Sequence, residues 1–173
     1  MVTVLRAGSA LVGLIAMLQI TPAASQTGEA TQLSAIAQAA SQRGIVTCLA
    51  SIDALAKDLA TKHNIGVYLF NRLESANANL VSISMELTPA PSGGSLYVSA
   101  SFVPTVEGKC QVMVESVLSW ASGCTQVGIA YPGYQVTGKM LENISILAAK
   151  GTERLFLMPT LSGCVSIEKS VYY

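Results

Sequence analysis

The sequence predicts an α+β domain: an antiparallel sheet of about six strands, a four-strand meander plus a C-terminal hairpin, with two helices packed on one face. Three observations predict it. Apolar residues recur at steps of three and four between residues 45 and 61. They then alternate with serines and other polar residues through successive short segments. Short Pro-, Gly- and Asn-bearing turns separate those segments.

The chain opens with "MVTVLRAGSALVGLIAMLQITPAASQ", in which Arg6 and the amino terminus form a positive end. Gly8 to Ile20 carries no charge, and Pro22-Ala23-Ala24-Ser25 follows. This is the pattern of a secretory signal peptide over residues 1–25, with cleavage expected after Ser25. Its apolar run is about thirteen residues, against roughly 20 for a membrane-spanning helix. No cysteine follows that run. The lipoprotein-like string Leu161-Ser162-Gly163-Cys164 lies far from it, so lipid attachment is not expected. Residues 26–173 are expected to form a single domain, with 26–43 as its loosest part.

From Thr31 to Lys62 the reading is helical. Ile45, Cys48, Ile52, Leu55 and Leu59 form the stripe, while Asp53, Lys57 and Lys62 fall off it. Gly44 divides an Ala/Gln/Ser-rich segment (31–43) from the firmer helix (45–61). After His63 the period changes to two. Strands are expected over 65–70, 81–87, 96–102 and 110–120, with a loop at Pro89 to Gly94 and a turn at Pro104 to Gly108. Residues 124–135 read as irregular around Pro132-Gly133. Val136, Met140, Ile144 and Leu147 predict a second amphipathic helix, ended by Gly151. Residues 154–158 and 164–173 read as two closing strands.

Four cysteines in an exported chain predict two disulfides, with three possible connectivities. A strand over 109–120 spans roughly 35 Å at about 3.3 Å per residue, so Cys110 and Cys124 fall beyond the ~7 Å Cα limit for a bridge. Tracing the meander brings Cys48 level with the start of the fourth strand, which favours Cys48–Cys110. Tracing the second helix and the return strand brings Cys164 back to Cys124, which favours Cys124–Cys164. One feature points the other way: Cys164 alternates with Val165 and Ile167, which would turn it from the core.

Ten basic and ten acidic residues give zero formal charge and no charged run, which argues against nucleic acid or an anionic membrane surface as partner. No two cysteines are closer than fourteen residues and His63 is the sole histidine, so neither a metal site nor a thiol nucleophile is expected. His63 reads as a helix-end residue meeting the dipole, and no Gly-x-Ser-x-Gly elbow accompanies it. Glu86 and Glu115, each flanked by serines, read as a solvated sheet face. "GGSLY" (93–97) lacks the lysine of a phosphate loop. Tyr131, Tyr134, Tyr172 and Tyr173 are the candidate contact patch, because tyrosine combines an apolar ring with a polar tip.

Gly108-Lys109-Cys110, Trp120 with Cys124 close behind, "LFLMP" (155–159) and "GCVSIEK" (163–169) resemble a family of small exported bacterial proteins with a signal peptide, two disulfides and no assigned activity. The resemblance covers Cys48 to Tyr173. It implies that all four cysteines belong to the scaffold, and it implies no catalytic residue.

The expected function is therefore a secreted or periplasmic, non-enzymatic binding module without cofactor or metal. It would meet an unknown protein or glycan of the cell envelope through a serine- and tyrosine-bearing sheet face, with no nucleic acid and no membrane contact after signal removal. Two alternatives stand beside it. One is a small hydrolase using carboxylates. The other is an inhibitor of a secreted or periplasmic enzyme, with Pro89–Gly94 or Tyr131–Gln135 as the plug.

Overall fold

Ser34 begins the first helix by capping it. Its Oγ accepts the Ala37 N–H at 3.2 Å, and its own N–H donates to Asp53 Oδ1 at 2.6 Å. The computed structural model describes residues 32–72 and 74–172. The signal-peptide reading of 1–25, residues 26–31, Leu73 and the candidate contact residue Tyr173 lie outside the described residues.

The Ala/Gln/Ser-rich stretch forms helix α1 (Ala35–Gln42), with Ile36, Ala37 and Ala40 buried. Small side chains let it lie close to α2 (Leu49–Ala60), which buries Ile52 and Ala56. Gly44, at φ 79°, supplies the left-handed residue between them. Asp53 joins the pair: it accepts from Ser34 and ion-pairs with Lys57 at 2.7 Å. The Lys57 bond first, then the Ser34 N–H, hold its carboxyl below the ordinary aspartate range.

The sheet has eight strands, not about six: β1 (Asn64–Phe70), β2 (Val81–Thr88), β3 (Leu96–Pro104), β4 (Cys110–Trp120), β5 (Gln135–Met140), β6 (Ile144–Ala148), β7 (Arg154–Thr160) and β8 (Gly163–Tyr172). Their spatial order is β1-β2-β3-β4-β8-β7-β6-β5, and every neighbouring pair is antiparallel. After β4 the chain forms helix α3 (Cys124–Ile129), reaches the far edge at β5 and returns inward. Two meanders thus meet at the β4·β8 seam.

The second helix expected over 136–147 is instead the β5–β6 hairpin. Four apolar residues at helical spacing produced that reading, but the segment turns at Leu141, which holds φ 50°. Thr137, Gly138, Ile144 and Ile146 also weaken a helix through β-branching or backbone freedom. Across the hairpin Val136 faces Leu147, while Met140 faces Ile144 on the other side of a bulge between Val136 and Gly138. The segment read as irregular supplies α3.

Directly opposed residues on neighbouring strands share a face. By register, Ile83, Ala100, Val114 and Ser170 share one face with Trp120, Cys164, Ser166 and Leu157. Among the described residues the three α-helices lie on that face, over two cores. Helices α1 and α2 cover Val81, Ile83, Leu87, Ala100 and Phe102; α3 inserts Val127 among Leu147, Leu155, Leu157 and Cys164.

Each core carries one disulfide. Cys48, the N-cap of α2, is bonded to Cys110 at the start of β4, with Cα atoms 5.2 Å apart. Cys124, the first residue of α3, is bonded to Cys164 on β8 at 5.0 Å. Both separations suit a bridge. Cys164 faces the core and is fully buried; Val165 and Ile167 point to the opposite face. The residue before Cys164 must be a glycine, Gly163. A Cβ there would lie 2.0 Å from the Trp120 carbonyl oxygen, so the backbones approach too closely for any other side chain.

Candidate binding face

Strand alternation leaves the second face of the sheet without a helix layer among the described residues. Its central rows carry Ser82 and Ser84 on β2, Tyr97, Ser99 and Ser101 on β3, and Met113, Glu115 and Val117 on β4. Beyond the seam it becomes apolar, with Ile167, Phe156 and Ile146 in one continuous register row and Val165 beside Met158. Tyr68, Phe70, Tyr97, Val103 and Met113 are exposed there, Tyr68 to 65%. Apolar and aromatic groups of this extent, left open beside hydroxyls, are the usual marks of a contact surface.

Several polar groups on this face are paired with one another. Ser84 Oγ and Tyr97 OH are 2.9 Å apart, Ser95 donates to Glu86, and Lys169 pairs with Glu115 at 2.5 Å. The Tyr68 and Phe70 rings meet at a tilt of 57°, with centroids 4.7 Å apart.

The candidate contact tyrosines sit elsewhere. Tyr131 and Tyr134 follow α3 and pack on the helix-side face. Tyr131 lies edge-on to Trp120 at 6.3 Å and to Tyr134 at 5.7 Å. Their hydroxyls are engaged: Tyr131 with Ser166 Oγ at 3.4 Å, and Tyr134 donating to Glu168 Oε1 at 2.5 Å. Burial first, then the Glu168 bond, push the Tyr134 phenol well above its ordinary range. Tyr172 lies four residues past Glu168 on β8, about 13 Å on, and borders α2. The structure thus brings Tyr131 and Tyr134 together and leaves Tyr172 apart. The tyrosines of the open face, Tyr68 and Tyr97, were not among the candidates; the signal for them is that each is out of phase with core-facing neighbours, Val67 and Leu69 in one strand and Leu96 and Val98 in the other.

Glu86 and Glu115 lie two strands and two residues apart on the open face, with about 12 Å between Cα atoms by strand spacing and rise; Glu86 accepts from Ser95 and Glu115 pairs with Lys169. His63 Nδ1 lies 3.0 Å from the Pro89 carbonyl oxygen. The Pro89–Gly94 loop is tied down by that contact and by Ser92 Oγ donating to the Ser119 carbonyl at 3.0 Å. The other candidate plug, Tyr131–Gln135, has its two tyrosine rings turned inward. Among the described residues no three metal-ligating side chains cluster.

No protein-family model, curated protein or solved structure matches this chain. Of the family resemblance drawn from residues 108–124 and 155–169, the two disulfides are what the structure carries.

Proposed function

We propose that the protein is an exported, non-catalytic binding module of the periplasm or cell envelope whose contact surface is the open face of the sheet. Its partner is a protein or glycan met through Tyr97, Met113 and the flanking serines. One observation carries the reading. Among the described residues the three α-helices and both disulfides lie on the opposite face, while aromatic and apolar side chains stay exposed on this one. Two disulfides fit an oxidising compartment. Among the described residues no helix is long and apolar enough to cross a membrane.

Pull-down from envelope extract with the mature, oxidised protein tests this. Tyr97→Ser combined with Met113→Ser should abolish capture while leaving the fold intact, because both side chains are exposed. Tyr172→Ser, on the helix-side face, should leave capture unchanged. Equal capture by all three proteins would remove the open face from the account.

A further inference from the structure

The two edges of the sheet are built differently. Strand β5 is six residues long, carries Lys139 and is broken by the bulge at Val136/Gly138. These are the devices by which proteins blunt a sheet edge. Strand β1, "NIGVYLF", has none of them: it runs seven residues in unbroken register with β2, without a charge or a proline. Val67, Tyr68 and Phe70 on it are exposed to 49%, 65% and 52%. Among the described residues no strand pairs its outer side.

We propose that β1 pairs antiparallel with β1 of a second copy about a two-fold axis through Val67, joining two sheets into one of sixteen strands. The strand is complementary to itself in that register. On the helix-side face Ile65 meets the second copy's Leu69, and Val67 meets its own counterpart, so every opposed pair is apolar. On the open face each Tyr68 falls opposite a Gly66 and each Phe70 opposite an Asn64, so each ring meets a small group and not another ring. Aromatic side chains laid over edge glycines are a known means of stabilising strand pairs. An isologous contact of this kind closes on itself and needs no second surface.

Two neighbouring features fit. Beside β1 on the helix side lies an open pocket of about 400 Å³, lined by Ala39, Ala56, Ile65 and Val67 together with the polar Ser34, His63 and Asn64. Its alanines leave room where the second copy's Val67 and Leu69 would arrive. Among the β1 backbone groups, the described hydrogen bonds give a side-chain partner only to the Leu69 carbonyl, which accepts from Arg43 Nη1 at 2.9 Å. Pairing substitutes the second copy's backbone for that exposed bond. The cations Lys62, itself paired with Asp58, and Arg72 fall outside the seven residues.

Sedimentation velocity on the mature, oxidised protein across micromolar to millimolar concentration tests this, independently of any envelope partner. The expected result is a monomer–dimer equilibrium. Val67→Lys and Val67→Asp should each weaken it by roughly 100-fold or more, since like charges meet on the axis. Mixing the two variants should restore a dimer, which only a pairing of residue 67 with itself allows. Val136→Lys on the other edge should change nothing. Circular dichroism matching the parent shows that each variant is folded. A monomer at every concentration, a dimer indifferent to Val67→Lys, or a mixture that stays monomeric would overturn the proposal. A monomer that instead takes up an added peptide strand would overturn it too.

Discussion

The indole Nε1 of Trp120 donates to the hydroxyl of Ser166 at 2.8 Å, across the β4·β8 seam where the two meanders join. Ser166 is 2% exposed; it passes its own proton toward the Leu118 carbonyl and lies within reach of Tyr131 OH. One small polar side chain thus serves the chain's one tryptophan and a tyrosine inside an apolar cluster.

Ser166→Ala should therefore cost more than its small change in volume suggests. It strands the indole N–H in a half-buried site, a loss of about 1 to 3 kcal/mol. Denaturant unfolding followed by fluorescence measures it directly, because Trp120 is the only indole. Unchanged stability would mean that water replaces the hydroxyl at no cost.

Tyr134 gives a prediction at alkaline pH. Its folded-state pKa is raised above the ordinary value of 10.0 by burial and by Glu168. A raised pKa contributes stability that is present below the unfolded value and lost as pH rises through the folded one. Spectrophotometric titration should show one tyrosine that stays protonated above the ordinary phenol value of 10.0. Glu168→Gln should bring it down toward that ordinary value.

Gly163→Ala should rank among the most damaging single substitutions in the β7–β8 turn. The added Cβ meets the backbone of Trp120 and Ala121, which cannot rotate away as a side chain can. A loss of about 3 kcal/mol is expected, at the upper end for ordinary point changes. Thermal unfolding beside Ser162→Ala, one residue earlier and exposed, separates this from a general effect of the turn.

Removing either disulfide as a Cys→Ser pair should cost about 4 kcal/mol in the chain-entropy account. The bridges close sequence separations of 62 and 40 residues. Because each is set in its own core, loss of Cys124–Cys164 should raise amide exchange chiefly in β6, β7 and α3, and loss of Cys48–Cys110 chiefly in α1 and α2. Exchange that rises equally everywhere would show one cooperative unit instead.

Strands β2 and β3 were legible because Ser82, Ser84 and Glu86 in one and Ser99 and Ser101 in the other alternate with apolar residues, and β4 because Cys110, Val112, Val114, Leu118 and Trp120 keep one phase; the pleat turns that alternation into two distinct faces. The β5–β6 hairpin was not. Val136, Met140, Ile144 and Leu147 mimic a helical stripe only when their side chains are assumed to share one face. The bulge lets Val136 and Leu147 face inward while Met140 and Ile144 face out. Cys164 was hard to orient for a related reason: on β8 the core-facing positions are Cys164, Ser166 and Ser170, and the more apolar Val165, Ile167 and Val171 form the open side. Hydrophobicity alone points such a strand backwards. The tyrosines after α3 were read as surface groups, whereas Ser166 and Glu168, distant in sequence, satisfy their hydroxyls.

Covalent footprinting of the mature, oxidised protein, alone and in whole envelope extract, tests the central claim most directly. Tyr97 and Met113 should lose reactivity in extract, while Tyr172 and the exposed residues of α1 and α2 keep theirs. Protection on the helix layer, or no protection at all, would contradict a contact made through the open face of the sheet.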